Sequence, residues 1–555
     1  MSQLDWLVML GVLGFIALYG FWKTRHQNTL NSFILGNQEN AWWKVGLTVM
    51  ATQASAITFI STTGQGFSDG LQFVQFYFGL PLAMIVICIS FIPRFYKMGV
   101  FTAYEYLETR FDLKTRLLAA FIFLIQRGLA AGITLYAPSI ILSTIFGWDL
   151  QWTHIFSGLA VILYTVTGGA EAVTKTQLQQ MLVIFVGMFF VFFYMLASMP
   201  DSIGFAEVVE YSAWMGKMEA VNFQFQLDSR YNFWAGITGG FFLALAYFGT
   251  DQSQVQRYLA GKNIQESRMG LILNGILKVP MQVFILFCGV TLFVLYLFMK
   301  PPIHFNDKIE QQLKTNHSNQ WNTWNARADS LYISEPALAL YAKEGNLSAE
   351  LLKIKQHRSQ LKEEVNSFVK ENLPSQESND RDYVFIHYII HHLPKGFIGL
   401  MIAVILCAAM SSISAELNAL AGTSTIDFVK RITPTLYSQK TEQFWSRCLT
   451  ACWGLVAICF AMYAALFENL IQFINIVGSL FYGTVLGIFM SAFYIKRISG
   501  SSVFYAALAA QCSTLMLFFF SDLGFLWYNV ISCFIVVLLG CILEALRKKP
   551  ARDLQ

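Results

Sequence analysis

Two runs of small and polar residues interrupt stretches that are otherwise apolar. One is Met50-Ala51-Thr52-Gln53-Ala54-Ser55-Ala56-Ile57-Thr58, and the other is Ala408-Ala409-Met410-Ser411-Ser412-Ile413-Ser414-Ala415-Glu416-Leu417-Asn418. Small side chains let helices approach closely, and hydroxyl oxygens suit a hard cation. On residue type alone, simple helix packing and a cation site both stay open. A third run, from Tyr247 through Gly249-Thr250-Asp251 to Arg257, sets a glycine beside several polar groups. That pattern suits a broken helix whose freed backbone groups face a cavity, or else the polar inner end of a span, to which Arg257 belongs. Arg127, in Gln126-Arg127-Gly128, falls within an apolar stretch, where a guanidinium is costly and marks a cavity or a counter-ion. A clamp for an anionic solute, snorkelling and a structural ion pair are its three readings. No nucleophile–base pair, phosphate loop or zinc motif supports an enzyme.

The elements that position these residues must sit in lipid. Hydrophobic residues make up 55% of the 555 and charged residues 13%, too little charge for a soluble surface of this size. The fold class is therefore an all-α integral membrane protein, with the lipid bilayer as its solvent. The net charge of +4 comes from short basic clusters between apolar runs, which argues against nucleic acid as a partner. The nine cysteines lie in or beside apolar runs. Only Cys448 and Cys452 share a helical spacing, which suits packing in a span, and no disulfide framework is implied. The first apolar run, 6–22, has no basic residue before it and no small-residue cleavage site after it, so it reads as a retained helix rather than a signal peptide.

A window of about 20 apolar residues predicts about thirteen transmembrane helices. They lie near 6–22, 43–67, 71–93, 117–146, 152–166, 178–197, 233–256, 269–299, 396–425, 447–466, 470–495, 503–520 and 525–546. With the N-terminus outside, the inner loops hold Lys23, Arg25, Arg94, Lys97, Arg110, Lys114, Arg116, Lys175, Arg257, Lys262, Arg268, Lys430, Arg431, Lys440, Lys496 and Arg497. The C-terminal tail with Arg547, Lys548 and Lys549 is then cytoplasmic, and the short outer loops hold Asp149, Glu468 and Asp522. This alternation follows the positive-inside rule and predicts a multi-pass protein of the plasma membrane, a bacterial inner membrane in particular.

The stretch from 300 to about 381 is polar and falls outside. Its segment 347–368 is amphipathic and predicts a surface helix in a solvated cap. The sequons at Asn316 and Asn346 read as chance matches.

Four further runs carry a resemblance. They are Tyr104-Glu105-Tyr106-Leu107-Glu108-Thr109-Arg110-Phe111, Tyr164-Thr165-Val166-Thr167-Gly168-Gly169, Gln252-Ser253-Gln254-Val255-Gln256-Arg257-Tyr258 and the serine run at Ser411-Ser412. In this order and spacing the chain resembles the sodium:solute symporter family from Trp6 to Leu546, apart from the outer insert. The family's members carry galactose, sialic acid, proline, iodide, vitamins or monocarboxylates.

The resemblance implies the leucine-transporter architecture of two inverted five-helix repeats. The chain then divides into an N-terminal extra helix and inner loop (1–42), a first repeat (43–199), an outer loop (200–232), the start of the second repeat (233–299), the insert (300–385), the rest of the second repeat (386–497) and two C-terminal helices with a tail (498–555). The implied function is sodium-coupled secondary active symport of a small polar organic solute (a sugar, sialic acid or another organic acid), by one copy of the chain working as a monomer.

Matching positions place one co-transported sodium ion on the carbonyls of Ala51, Ala54 and Ala408 and the hydroxyls of Ser411 and Ser412. A second sodium site of some relatives has Gln177 where an acid is needed. It keeps Ser414, but Ala415 replaces its other serine, so this site is expected to be absent. The implied solute contacts are Gln53, Thr58, Phe73, Tyr77, Arg127, Tyr247 and Lys278. Tyr77 stands where the galactose carrier has its sugar-binding acid. The arginine of the sialic-acid carrier maps to Leu129 or Ala130 rather than to Arg127. Lys278 is either a solute contact or a buried cation paired with helix carbonyls.

Two rivals remain at this stage. A solute sensor would need a cytoplasmic output module, and the chain ends nine residues after Leu546. A proton-driven carrier would need a titratable carboxylate in its cavity, for which Asp69, Asp251 and Glu416 are candidates expected at helix ends or against packed protein.

Overall fold

A computed structural model describes residues 1–23, 40–373, 378–432, 439–463 and 469–547, with the side chains of 167–175 among those left undescribed. The loop charges Arg25, Glu468, Lys548 and Lys549 lie outside the described residues, as do the side chains of Lys23, Lys175 and Lys440.

The chain opens with α1 (Gln3–Lys23), α2 (Trp42–Gln53) and α3 (Ala56–Asp69). A 3-10 segment (Gly70–Tyr77) leads to α4 (Leu80–Val86), a π turn (Ile87–Phe91), α5 (Ile92–Met98) and α6 (Glu105–Arg110). The long helices α7 (Leu113–Phe146) and α8 (Leu150–Ala197) follow, then the short helix α9 (Phe205–Trp214). The middle of the chain is α10 (Gly240–Thr250), α11 (Gln252–Leu259) and α12 (Ile264–Phe298). The insert contributes α13 (Asp307–Asn316), α14 (Ser318–Asp329), α15 (Glu335–Glu344) and α16 (Leu347–Asn372). Next come α17 (Val384–His392), α18 (Phe397–Thr423), α19 (Lys430–Ile432), α20 (Gln439–Tyr463), α21 (Leu470–Tyr494), α22 (Gly500–Phe520) and α23 (Leu526–Arg547). Among the described residues there is no β-strand, only an isolated bridge between Asn40 and Gly261.

Nine of the described apolar stretches are long enough to cross a bilayer, and shorter apolar helices run over Gln3–Ile16, Leu150–Val166 and Ala235–Thr250. The protein is a multi-pass membrane protein, and most elements fall within a few residues of the predicted spans. Two junctions differ from the sequence reading. The expected spans 43–67 and 71–93 meet with almost no loop, because Gly70 turns the chain at φ +76°. A side chain there would strain the backbone and meet the Lys217 carbonyl 2.4 Å from its Cβ. The expected spans 152–166 and 178–197 are joined through helical backbone as α8, with no loop between them.

The decisive local features are two helix breaks. α2 stops at Gln53, and Ala54 (ψ 71°) and Ser55 (ψ 175°) leave helical geometry before α3 begins. The sequence reading treats 43–67 as one span; no glycine or proline marks this break. The second break is at Asp251 (φ −78°, ψ 119°), between α10 and α11, as the Gly249-Thr250-Asp251 run suggests. The Asp251 carboxylate accepts the Ser253 amide at 2.9 Å and so caps α11. Irregular backbone in lipid survives only inside protein or beside a cavity, and both breaks are buried.

α18 is the most enclosed span, with 83% of its apolar window buried. Its alanines and serines allow it to pack against α1, α2, α3, α7, α8, α11 and α20. The insert folds on a small core of its own, in which Ile309, Leu313, Trp324, Leu361, Val365 and Val369 meet. The predicted amphipathic helix is α16, and its Lys355 amine donates to the Met215 carbonyl at 2.6 Å, tying the insert to the segment after α9.

Candidate functional site

The broken helices face a buried cavity of about 80 Å³. The α2/α3 break contributes Thr52, Gln53, Ser55, Ile57 and Thr58, and the 3-10 segment contributes Phe76 and Tyr77. α7 supplies Gln126, Arg127 and Thr134; α10 supplies Tyr247; α12 supplies Lys278; and α18 supplies Glu416. α21 closes the cavity with Ile471, Ile474, Asn475 and Tyr482.

The structure thus brings together Gln53, Thr58, Tyr77, Arg127, Tyr247 and Lys278. Phe73 does not line this cavity. It stacks on Phe76 at 5.5 Å, one 3-10 turn away on the same face, and packs edge-on against Tyr231 at 5.2 Å, so that Phe76 rather than Phe73 lines the cavity. Glu416 was expected against packed protein and instead lines the cavity. Asp251 stands at a helix break, and Asp69 ends α3 in an ion pair with Arg381 at 3.2 Å, both as expected.

Arg127 is held on several sides. Its guanidinium pairs with Asp251 and with Glu416 (3.1 Å), donates to the Tyr482 hydroxyl (2.7 Å) and lies over the Tyr247 ring, 5.4 Å from the centroid. Tyr482 in turn donates to Asp251 at 3.2 Å and accepts from Gln126 at 3.1 Å. Arg127 therefore links α7 to α21, α18 and the α10/α11 break, and its charge is already met by two carboxylates.

Lys278 is different. It is fully buried, and its amine has no hydrogen-bond acceptor among the described residues; the Tyr77 ring is centred 5.9 Å away. The alternative in which helix carbonyls neutralise it is absent from the geometry. Gln53 Oε1 and Asn475 Nδ2, both on cavity-lining residues, are likewise buried without partners. Buried polar groups are nearly always satisfied, so these atoms mark where a polar ligand fits.

Backbone oxygens are freed beside the same break. In an unbroken helix the amides of Ser55 and Thr58 would bond the carbonyls of Ala51 and Ala54. Instead Ser55 donates to Gln53 (3.0 Å) and Thr58 to Ser55 (2.9 Å). α18 packs against both α2 and α3, and the hydroxyls of Ser411 and Ser412 on it are buried without a hydrogen-bond partner. Many buried helix hydroxyls bond back to the preceding turn, as Thr134, Ser139, Thr165 and Thr425 do. The donor set is all oxygen, the type a hard monovalent cation takes. Where some relatives hold a second cation, Gln177 here donates to Thr52 at 3.2 Å, and Ser414 accepts from Thr165 at 2.8 Å.

Two of the runs behind the family resemblance clasp each other below the break. Tyr104 donates to the Thr250 carbonyl (2.9 Å), while Gln252 accepts from Ala103 (3.0 Å) and donates to Phe101 (2.8 Å).

A membrane chain whose two broken helices meet at one polar cavity is a solute carrier. The chain belongs to the sodium:solute symporter family, whose model matches residues 33–317 and 365–509. A sodium-coupled monocarboxylate transporter 1 of Xenopus laevis is 30% identical over 49% of this chain, a match that makes up 43% of that protein. A sodium-coupled monocarboxylate transporter 2 of Bos taurus is 25% identical over 90% of this chain and 69% of its own. The sodium/sialic acid symporter NanT of Aliivibrio fischeri is 24% identical over 97% of this chain and 92% of its own. Among solved structures, a substrate-bound, outward-open Na+-coupled sialic acid symporter superposes with a TM-score of 0.77 at 23% identity, covering 100% of each chain. That likeness establishes the fold.

The residues that sequence reasoning missed include four on α21. Asn475 and Tyr482 are seven apart, on one face of a largely apolar helix, and that spacing was the available signal.

Proposed function

We propose that this chain is a sodium-coupled secondary active symporter that imports a small organic anion, with the anion's carboxylate on Lys278. The observation that supports this reading is the buried Lys278 amine, which faces the cavity without an acceptor while Arg127 is spent on Asp251 and Glu416. A carboxylate supplies the missing acceptor, and a charge-assisted contact in a dry site is strong. The cavity of about 80 Å³ suits a solute of a few heavy atoms.

Sodium is assigned to the Ala51, Ala54 and Ala408 carbonyls with the Ser411 and Ser412 hydroxyls. The charge balance favours joint binding. When all are ionised, Arg127 and Lys278 offset Asp251 and Glu416, so an anion and a sodium ion together leave the site neutral in low dielectric. Either alone leaves it charged. Each ligand therefore raises the other's affinity by the same factor, which is the coupling a symporter needs.

The two repeats are assigned to 43–199 with 233–299 and 386–497, each opened by one of the broken helices. The N-terminus is assigned to the outside and the C-terminus to the cytoplasm of a plasma membrane. One copy carries the whole site.

The test is sodium-dependent uptake of labelled short carboxylates and neutral sugars by wild type and Lys278→Met. Carboxylate uptake that Lys278→Met abolishes supports the reading. Efficient uptake of neutral sugars, or full carboxylate uptake by Lys278→Met, overturns the anion assignment and leaves sodium coupling to be judged separately. A second reading, coupling to protons, draws on Glu416 Oε2, buried without a partner on a cavity-lining residue. It predicts uptake that follows pH and ignores sodium.

A further inference from the structure

We propose that Asp307, His387 and His391 form a site for one divalent transition metal of the zinc class on the outer face. Occupying it would pin the insert to the gate side of the carrier and slow transport. His387 and His391 are four residues apart on α17, so their rings leave the helix on one face, and the ring centroids are 4.4 Å apart. Asp307 opens α13 of the insert and meets both rings. Its carboxylate lies 2.9 Å from His391 Nε2 and 3.8 Å from His387 Nε2. One ligand atom from each residue can be chosen so that all lie within 4.8 Å of one another. A tetrahedral metal with bonds of about 2.0–2.2 Å needs its ligand atoms roughly 3.3 Å apart, a small adjustment from this arrangement.

The surroundings favour a metal over a chance cluster. His387 Nδ1 lies 3.1 Å from the Tyr296 hydroxyl, which orients the ring and leaves Nε2 for the carboxylate side. An outer hydrogen bond of this kind is the usual support of a metal-bound imidazole. Two imidazoles and one carboxylate, with room for water, form a donor set that suits zinc better than magnesium or calcium. The His391 side chain is 44% exposed, so an ion from outside can reach the site.

The consequence follows from what each element touches. α17 packs on α3, the outer half of the broken helix that carries Ile57 and Thr58, and on α18. α13 belongs to the insert. A metal bound by both restrains α17 against the cap and so resists movement at the outer end of α3.

The experiment uses the full chain, purified and reconstituted, with Zn2+ and Co2+ as probes. Wild type is expected to bind one equivalent of Zn2+ and to give the visible bands of four-coordinate Co2+. His387→Ala and His391→Ala should each reduce the affinity at least tenfold. In chelator, uptake by both variants should equal wild type, while external Zn2+ should slow uptake several-fold in wild type only. If a histidine variant fails to fold, Asp307→Asn serves instead, with the Zn2+-induced rise in Tm as readout. Wild-type binding no tighter than that of the variants overturns the site, whatever the solute proves to be. Tight binding with no effect on uptake overturns the pinning.

Discussion

Arg127 on α7 pairs with Asp251 at the break between α10 and α11, and Tyr482 donates to the same carboxylate oxygen from α21 at 3.2 Å. A cation fixed in this way holds a helix break in place. Removing one partner of a buried pair leaves the other uncompensated, at a cost of about 3–5 kcal/mol. Arg127→Met should therefore lower the thermal unfolding midpoint sharply and abolish uptake. Arg127→Lys should recover part of the stability, because one amine cannot reach all three acceptors. Unfolding midpoints in detergent check this. A variant as stable as wild type that has lost only solute affinity would show that Arg127 is a clamp.

Lys278 should behave in the opposite way. Its amine has no hydrogen-bond acceptor among the described residues, so Lys278→Met removes a buried cation without an ion-pair partner there and should leave the midpoint equal or higher. Loss of a charge-assisted contact of about 1.5–3 kcal/mol should raise the solute KM roughly ten- to one-hundred-fold. Measuring the midpoint and KM on the same preparation separates this outcome from simple misfolding.

Stoichiometry follows from Gln177 and Ala415. With no carboxylate at the first and no hydroxyl at the second, a second sodium has no anionic partner in low dielectric. Sodium activation should show a Hill coefficient near one, and uptake of a monovalent carboxylate should carry no net current. A coefficient approaching two, with inward current, would require a second site.

At the end assigned to the cytoplasm, a charge network joins α7, α6 and the segment after α18. Arg116 donates to Asp427 (2.7 Å) and to Glu108 (2.6 Å), Arg431 donates to the same Glu108 (2.6 Å), and Thr102 holds Asp427 at 2.9 Å. Asp427→Asn weakens this network, so solute efflux from loaded vesicles without sodium should rise several-fold. Unchanged efflux would mean that the network does not gate.

Much of this site was legible from residue type. Arg127 stood out as a charge in an apolar run, the Gly249-Thr250-Asp251 run announced the second break, and the insert's amphipathic helix matched α16 closely. The first break escaped, because Ala54 and Ser55 are ordinary helix residues and only tertiary contacts favour leaving the helix there. Phe73, expected at the cavity from the resemblance, stacks on Phe76 one 3-10 turn along the same face, and which of the two reaches the cavity depends on packing that the sequence does not show. The His387 and His391 pair gained meaning only once folding brought Asp307 from 80 residues away in sequence.

The central claim is that sodium binds between the α2/α3 break and α18, and its most direct test is the sodium dependence of uptake in Ser411→Ala/Ser412→Ala at fixed pH. Each lost hydroxyl ligand in a dry site is worth about 1–3 kcal/mol. The double variant should therefore need at least tenfold more sodium for half-maximal uptake while keeping its unfolding midpoint. An unchanged sodium requirement in a well-folded double variant would contradict the account.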